Sequence, residues 1–427
     1  MRSHSCLAFV FTAALAACSD EPIAAPDGPI DAQAAMVTIA SNEGAEVLAI
    51  ERTDMSGDIA EWSVTLQVGP GPDDRIRLHR VVREIAPFIA RKSRGGVMFL
   101  HGDFATFDAN FGGDAGLAAA LAARDLDVWG VDRRWTLLGA EDDLGSLVGQ
   151  GYEVAMDDTR VALALARGLR ALSGHGAGRM ALGGFSRGGH LAYTYAGAET
   201  TRPASQRHVD AIVPIDIYAR IGPDDEEQRQ VACALAQDEE ALIAAGMPGS
   251  DNSIFPLMGQ LAQDDPEGES PVIPGVTNRR ALLVFVARTY LFYAPTPSYH
   301  LAAGVFDGVL VDLEHSPVER VARWFTAAPP WQSQQEGADG DALWCGDAPP
   351  FDDHLEDIAL PIYALLAAGG FGEYARHTVD ATASNDKTVV VVTDQVDVAI
   401  DVGHADLLFG EDAAAEWSPL ADWLLAH

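Results

Sequence analysis

The chain has 427 residues, of which 48% are hydrophobic and 21% charged. That is an ordinary globular composition; it excludes a disordered or collagen-like chain, and no internal repeat is visible. Acidic residues number 63 against 28 basic ones, a net charge of −35 spread along the whole length; such a surface repels nucleic acid and reads as a solubility feature rather than as a site for a cationic ligand.

The first residues form a secretory signal. Arg2 precedes a short apolar run over residues 7–14, then Leu15-Ala16-Ala17-Cys18, and the chain turns polar at Ser19-Asp20-Glu21. The apolar run is far shorter than the ~20 residues that span a bilayer. Leu-Ala-Ala-Cys resembles the cleavage box of bacterial lipoproteins. The resemblance implies removal of residues 1–17, acyl chains on Cys18 as the sole membrane attachment, and a place in the cell envelope of a Gram-negative bacterium, with Ser19 favouring the outer membrane; the alternative is an ordinary secreted protein. Residues 18–36, rich in Ala, Pro, Asp and Gly, read as a flexible tether.

The folded part is expected from Val37. Trp62–Val68 and Ile76–Val82 alternate apolar and polar residues around Gly69-Pro70-Gly71-Pro72-Asp73-Asp74 and predict an antiparallel hairpin. From Gly96 continuous apolar runs alternate with helical stretches: residues 97–100, 128–131, 180–182 and 211–215 as strands, and 117–123, 154–172 and the segment from Gly189 as helices. Strands buried on both faces alternating with helices predict a parallel, doubly wound α/β sheet. Residues 37–217 and 354–427 are assigned to this core. Residues 218–353 break the rhythm and read as a mostly helical insertion, its aromatic residues divided between plain core and the lining of a pocket. Cys233 and Cys345 both fall in it; in an oxidising compartment they pair, and otherwise they are two buried thiols. The rhythm resumes at residues 362–366, with a last strand expected over 396–402 and a closing helix over 414–426. The run 388–393 fits either an extra strand or a buried helix.

Gly184-Phe185-Ser186-Arg187-Gly188, between the strand from Met180 and the helix from Gly189, has the layout of a nucleophile elbow: a serine on a sharp strand-to-helix turn with small neighbours that let strand and helix approach. Two further motifs agree with it in order, Phe99-Leu100-His101-Gly102-Asp103-Phe104 after a strand and Asp401-Val402-Gly403-His404 near the end. Together they resemble the α/β hydrolase superfamily, over nearly everything from residue 60 onward except the insertion. The resemblance implies Ser186 as nucleophile, His404 as its base, and an oxyanion hole made by the backbone N–H of Arg187 and of Asp103 or Phe104, with His101 bracing the loop. The orienting carboxylate is assigned to Glu373, after Gly369-Gly370-Phe371-Gly372, with Asp216 as the alternative and Asp380, Asp386 and Asp394 behind. Serine needs such a base, and the base such a carboxylate, before it attacks.

Nothing points to a metal or cofactor: no HExxH, P-loop lysine or paired CxxC is present. Gly174-His175-Gly176-Ala177-Gly178 precedes a strand and is a turn, and Asp339-Gly340-Asp341 reads as a solvated acidic turn. The expected activity is cleavage of a carboxylic ester or amide through an acyl-enzyme. Ser186-Arg187-Gly188-Gly189 also resembles peptidases of the proline iminopeptidase kind, and a binding lipoprotein of the same fold that has lost activity is the non-catalytic alternative.

Overall fold

The computed structural model describes residues 32–291, 296, 298–346 and 353–427; the signal segment, Cys18 and residues 18–31 lie outside these described residues. Residues 32–36, expected as tether, belong to a helix, Ala32–Asn42. Met36 and Ala40, one turn apart, are buried, and Gly168 of the long helix Tyr152–Leu172 makes room for Ile39. Tertiary packing of that apolar stripe, rather than helix propensity, holds so short a helix.

Strands β1 (Glu46–Asp54), β2 (Ile59–Gln67) and β3 (Arg75–Ala86) form an antiparallel meander in which β2 and β3 are the expected hairpin. The even-numbered residues Ala60, Trp62, Val64 and Leu66 face the core, as a period of two requires. A short β4 (Ile89–Ala90) pairs with β3. Then come β5 (Gly95–Leu100), β6 (Leu126–Asp132), β7 (Met180–Phe185) and β8 (Val209–Ile215), joined in parallel pairs. The insertion contributes β9 (Gly249–Asp251), the hairpin β10 (Gly304–Asp307) with β11 (Val309–Leu313), and β12 (Trp331–Ser333), which pairs with β9. Finally β13 (Ile362–Ala367) and β14 (Lys387–Val392) extend the main sheet, whose order is β1-β2-β3-β6-β5-β7-β8-β13-β14. Every residue of β6, β7 and β13 is buried, as expected for parallel strands covered by helices on both faces. The chain passes from β5 outward to β6 and crosses back over β5 to β7. That reversal places a crevice at the C-terminal ends of β5 and β7, where open α/β sheets bind ligands.

The end of the sequence differs from expectation. The run 388–392 is the last strand, parallel to β13, as its β-branched residues allow. Residues 396–402 form a loop with one 3-10 turn, Val398–Ile400. The Asp401 carboxylate draws that loop in by accepting the N–H groups of Asp394, Gln395 and Val402 and the Thr393 hydroxyl, so a local side-chain acceptor replaces a strand ladder. The closing helix is Ala413–Ala426.

His79 on β3 ties the meander to the parallel half. Its Nδ1 lies 2.7 Å from Glu61 and its Nε2 3.1 Å from Asp132, whose other oxygen accepts the Phe107 N–H. Burial disfavours the imidazolium, but the carboxylates on both nitrogens outweigh it and hold its pKa up to about 10. An imidazole raised above its unfolded value of roughly 6.5 stabilises the fold fully below that pH and loses the contribution as pH rises toward the folded value. Urea unfolding should therefore show wild-type stability falling between pH 6.5 and 10, and His79→Gln should flatten that fall; an unchanged profile in the variant would refute the assignment.

The insertion is mostly helical, as expected, with helices Glu226–Ala244, Ile254–Asp264, Asn278–Ala287, Val318–Thr326 and Gln334–Cys345 beside its short strands. Cys233 and Cys345 are disulfide-bonded and join its first and last helices across 112 residues.

Candidate active site

Ser186 follows β7 and opens the helix Arg187–Thr200. Its backbone has φ 54° and ψ −130°, a region sparsely populated by non-glycine residues and tolerated where surrounding structure over-determines it. The flanking glycines permit this: a Cβ on Gly184 would strike the Gly188 backbone, and one on Gly188 would strike the Leu100 and His101 carbonyls. The register pairs Leu100 with Gly184, so the His101-Gly102 loop lies directly beside the serine.

His404 sits in the loop after Asp401, buried, with its ring stacked on Phe185 at 4.3 Å between centroids. Its backbone N–H donates to the His300 carbonyl, and the Asp406 carboxylate accepts from Gly403, Ala303 and Ser316. Insertion and core loop are thus stitched together behind the imidazole. Neither His300 nor Asp406 is singled out by the sequence, since the contacts that join insertion to core, His404 to His300 and Ala303 and Ser316 to Asp406, run between segments distant in the chain.

The carboxylate against His404 is Asp216, not Glu373. Asp216 Oδ2 lies 2.6 Å from His404 Nδ1, and Asp216 is fully buried at the end of β8. Backbone N–H groups of Ala367, Phe371 and Gly372 also donate to it. The glycine stretch that suggested Glu373 serves a different purpose: a Cβ on Gly370 would collide with Asp216 Oδ2, so glycine there lets the loop wrap the Asp216 carboxylate. Glu373 itself points outward from the 3-10 turn Gly372–Ala375 and pairs with Arg376 at the surface. Asp386 bonds His427 and Asp394 lies near His315, whereas the carboxylate paired with His404 is Asp216.

His101 braces its loop. Its Nε2 accepts from the Arg133 N–H and its Nδ1 lies 2.8 Å from the Gly102 carbonyl; burial, with Arg133 beside it, pushes its pKa down to about 3, so it stands neutral. Arg187 is the first residue of its helix, the end at which backbone N–H groups have no intrahelical acceptor. Of the two loop donors expected, the Phe104 N–H is occupied, donating to Gln332 Oε1 at 3.1 Å, which leaves Asp103 as the candidate.

Ser186, His404, Asp103, Phe104 and Arg187 line one cavity of about 380 Å³ under the insertion. Its apolar wall includes Phe255, Phe285, Trp324 and Phe325, which pack edge to face. Its polar end carries Arg187, Asp103, Glu239 and Asp341. Asp339 and Asp341 are buried in the helix Gln334–Cys345 rather than solvated: Asp339 accepts the Tyr152 N–H, and Asp341 pairs with Arg187 at 2.9 Å. Among the described residues one histidine-carboxylate group has metal-like proximity, Glu61, His79 and Asp108, outside this cavity. There His79 already uses both nitrogens on Glu61 and Asp132.

No family model and no curated protein matches the chain. Solved structures do. A Sulfolobus solfataricus protein assigned as a lipase superposes with a TM-score of 0.60 at 14% identity, over 88% of this chain and 99% of that one. A soluble variant of monoglyceride lipase from Saccharomyces cerevisiae matches at 0.47 and 11% identity, over 88% of this chain and 95% of that one. At 14% identity the first of these likenesses speaks for the fold alone: a mostly parallel, doubly wound sheet with an inserted cap, the α/β hydrolase fold.

Proposed function

We propose that this chain is a serine hydrolase that cleaves a carboxylic ester through an acyl-enzyme on Ser186. The observation that carries the reading is the convergence, in one apolar cavity, of a backbone-strained serine and a histidine whose far nitrogen is bound by a buried carboxylate. His404 Nε2 takes the Ser186 proton as Oγ attacks the ester carbonyl, while Asp216 fixes the tautomer through Nδ1–H and stabilises the imidazolium. The tetrahedral oxyanion is received by the N–H groups of Arg187 and Asp103. His404 then protonates the leaving alcohol, and water, deprotonated by the same imidazole, releases the acid from Ser186. Neither a metal nor an organic cofactor has a part in these steps.

The apolar wall favours acyl chains of small to medium size. A second reading, an aminoacyl substrate as in peptidases of the proline iminopeptidase kind, is favoured by the acidic end of the cavity. There burial, reinforced by Asp341, pushes Glu239 up to about 9, and a bound ammonium would restore its charge. Hydrolysis of p-nitrophenyl butyrate by purified protein, beside phenylalanine p-nitroanilide and its N-acetyl form, tests both. Turnover of the butyrate supports the ester reading, and strong preference for the free amine over its acetylated form selects the second. Turnover of none of the three, in a folded sample, leaves the binding-protein alternative.

The same proposal places the protein in the cell envelope, anchored by lipid on Cys18. The cleavage-box sequence and the Cys233–Cys345 disulfide, a bond suited to an oxidising compartment, support it. Among the described residues no helix is long and apolar enough to cross a membrane. Cys18→Ser should move the protein from the membrane to the soluble fraction on cell fractionation; continued membrane association of the variant would contradict the anchor.

A further inference from the structure

The two residues whose N–H groups would receive the oxyanion are bound to each other and to the cap through their side chains. Arg187 Nε lies 3.3 Å from Asp103 Oδ2. Beyond this pair, Arg187 Nη2 donates to Asp341 at 2.9 Å, and its guanidinium sits 4.5 Å from the centre of the Trp344 ring. On the other side, Gln332 Nε2 donates to Asp103 Oδ1 at 2.7 Å, while Gln332 Oε1 accepts the Phe104 N–H. One amide side chain therefore grips two consecutive residues of the loop after β5, one by its side chain and the next by its backbone.

That loop needs a grip. Phe104 has φ 55°, a left-handed conformation that costs a non-glycine residue of order 1–2 kcal/mol and relaxes unless held. Gln332 is itself held rigidly: it is the middle residue of β12, opposite Ser250 of β9. Trp331 Nε1 donates to the Gly139 carbonyl, and the Ser333 hydroxyl to that of Gln150. Both neighbours of Gln332 are thus fastened to the core, 228 residues along the chain from Phe104.

We infer that Gln332 is a positioning residue for the oxyanion hole, and that the cap supplies part of the frame of that hole in addition to roofing the cavity. The inference rests on the hydrolase reading given above. Gln332 touches no reacting atom. It acts by setting where the Asp103 N–H points at the moment the carbonyl oxygen becomes charged, and misdirecting one oxyanion donor is worth about 10²–10³ in kcat at most.

The test compares wild type with Gln332→Met, which keeps the volume and loses both hydrogen bonds, and Gln332→Glu, which keeps the acceptor for Phe104 and sets a carboxylate against Asp103. Kinetics on p-nitrophenyl butyrate and inhibition by benzeneboronic acid, whose serine adduct is tetrahedral and anionic, are read beside thermal unfolding. Both variants should unfold near the wild-type temperature, lose ~10–100-fold in kcat with KM within about threefold, and lose boronate affinity by a matching factor. Wild-type kcat in both variants, or a loss of kcat with boronate affinity intact, would overturn the inference while leaving the hydrolase reading standing. A wild-type protein that neither turns over the ester nor binds the boronate would overturn both.

Discussion

Asp216→Asn should lower kcat by about four orders of magnitude with KM little changed, whereas Glu373→Gln should leave both constants within twofold of wild type. The asparagine is isosteric, so the fold is expected to hold. Its amide presents a donor to His404 Nδ1 in place of an acceptor, and the imidazole is then held in the tautomer that cannot take the serine proton. In the best-studied serine protease the equivalent change costs ~10⁴-fold for that reason. Here Asp216 also accepts the N–H of Ala367 at the end of β13 and those of Phe371 and Gly372 in the loop after it, so the rotamer of the substitute is dictated by these donors and not free to turn its oxygen to His404. Glu373 lies at the surface with Arg376, where exposed ion pairs contribute little. Steady-state kinetics on a single ester decides between the two; equal, near-wild-type rates in both variants would mean that no carboxylate orients His404.

Ser186→Ala should have the largest effect of any substitution, a loss of about 10⁵–10⁶ in kcat, because removal of the nucleophile leaves only the contributions of binding and the oxyanion hole. Folding should be nearly unaffected. Alanine removes a single oxygen from a site where backbone strain comes from the elbow itself, held by the Ser186 N–H to the Ile215 carbonyl at 3.0 Å and by the packing of Gly184 on Gly188. A thermal unfolding midpoint within a few degrees of wild type, with ester hydrolysis at background, is the expected pair of results. Residual activity within a hundredfold of wild type would remove Ser186 from the chemistry.

The elements legible in the sequence were those whose signal is local. Apolar runs of three to five residues marked the parallel strands, because a strand buried on both faces leaves no room for polar residues. Gly184 and Gly188 marked the elbow, because their Cβ atoms would overlap backbone only a few residues away or in the adjacent strand. Ser186 and His404 do reach the same cavity. Side-chain hydrogen bonds between distant segments were illegible. The stretch Gly369-Gly370-Phe371-Gly372 suggested a turn presenting Glu373; it brings the N–H groups of Phe371 and Gly372 onto Asp216, a partner some 150 residues away. Residues 396–402 had the hydrophobicity of a strand, yet Asp401 folds that segment around its own carboxylate, and β14 lies earlier, over the β-branched run. Asp339 and Asp341 looked like solvent-facing acids in a very acidic chain; their partners, Tyr152 and Arg187, lie 187 and 154 residues away in sequence. Nor does anything in the neighbourhood of Gln332 reveal that its amide reaches the loop after β5. Positions set by close backbone approach left a mark in the sequence, and positions set by side-chain hydrogen bonding across the cap did not.

The most direct measurement of the central proposal is labelling of the purified mature protein with a fluorophosphonate, followed by intact mass and peptide mapping, with Ser186→Ala alongside. The reagent reacts with a serine only where a neighbouring base accepts the proton and the developing charge on phosphorus-bound oxygen is stabilised. A single adduct on Ser186, absent from the variant, is the predicted result. A folded wild-type protein that takes no label, or takes it at another residue, would contradict the assignment of Ser186, His404 and Asp216 as a working triad.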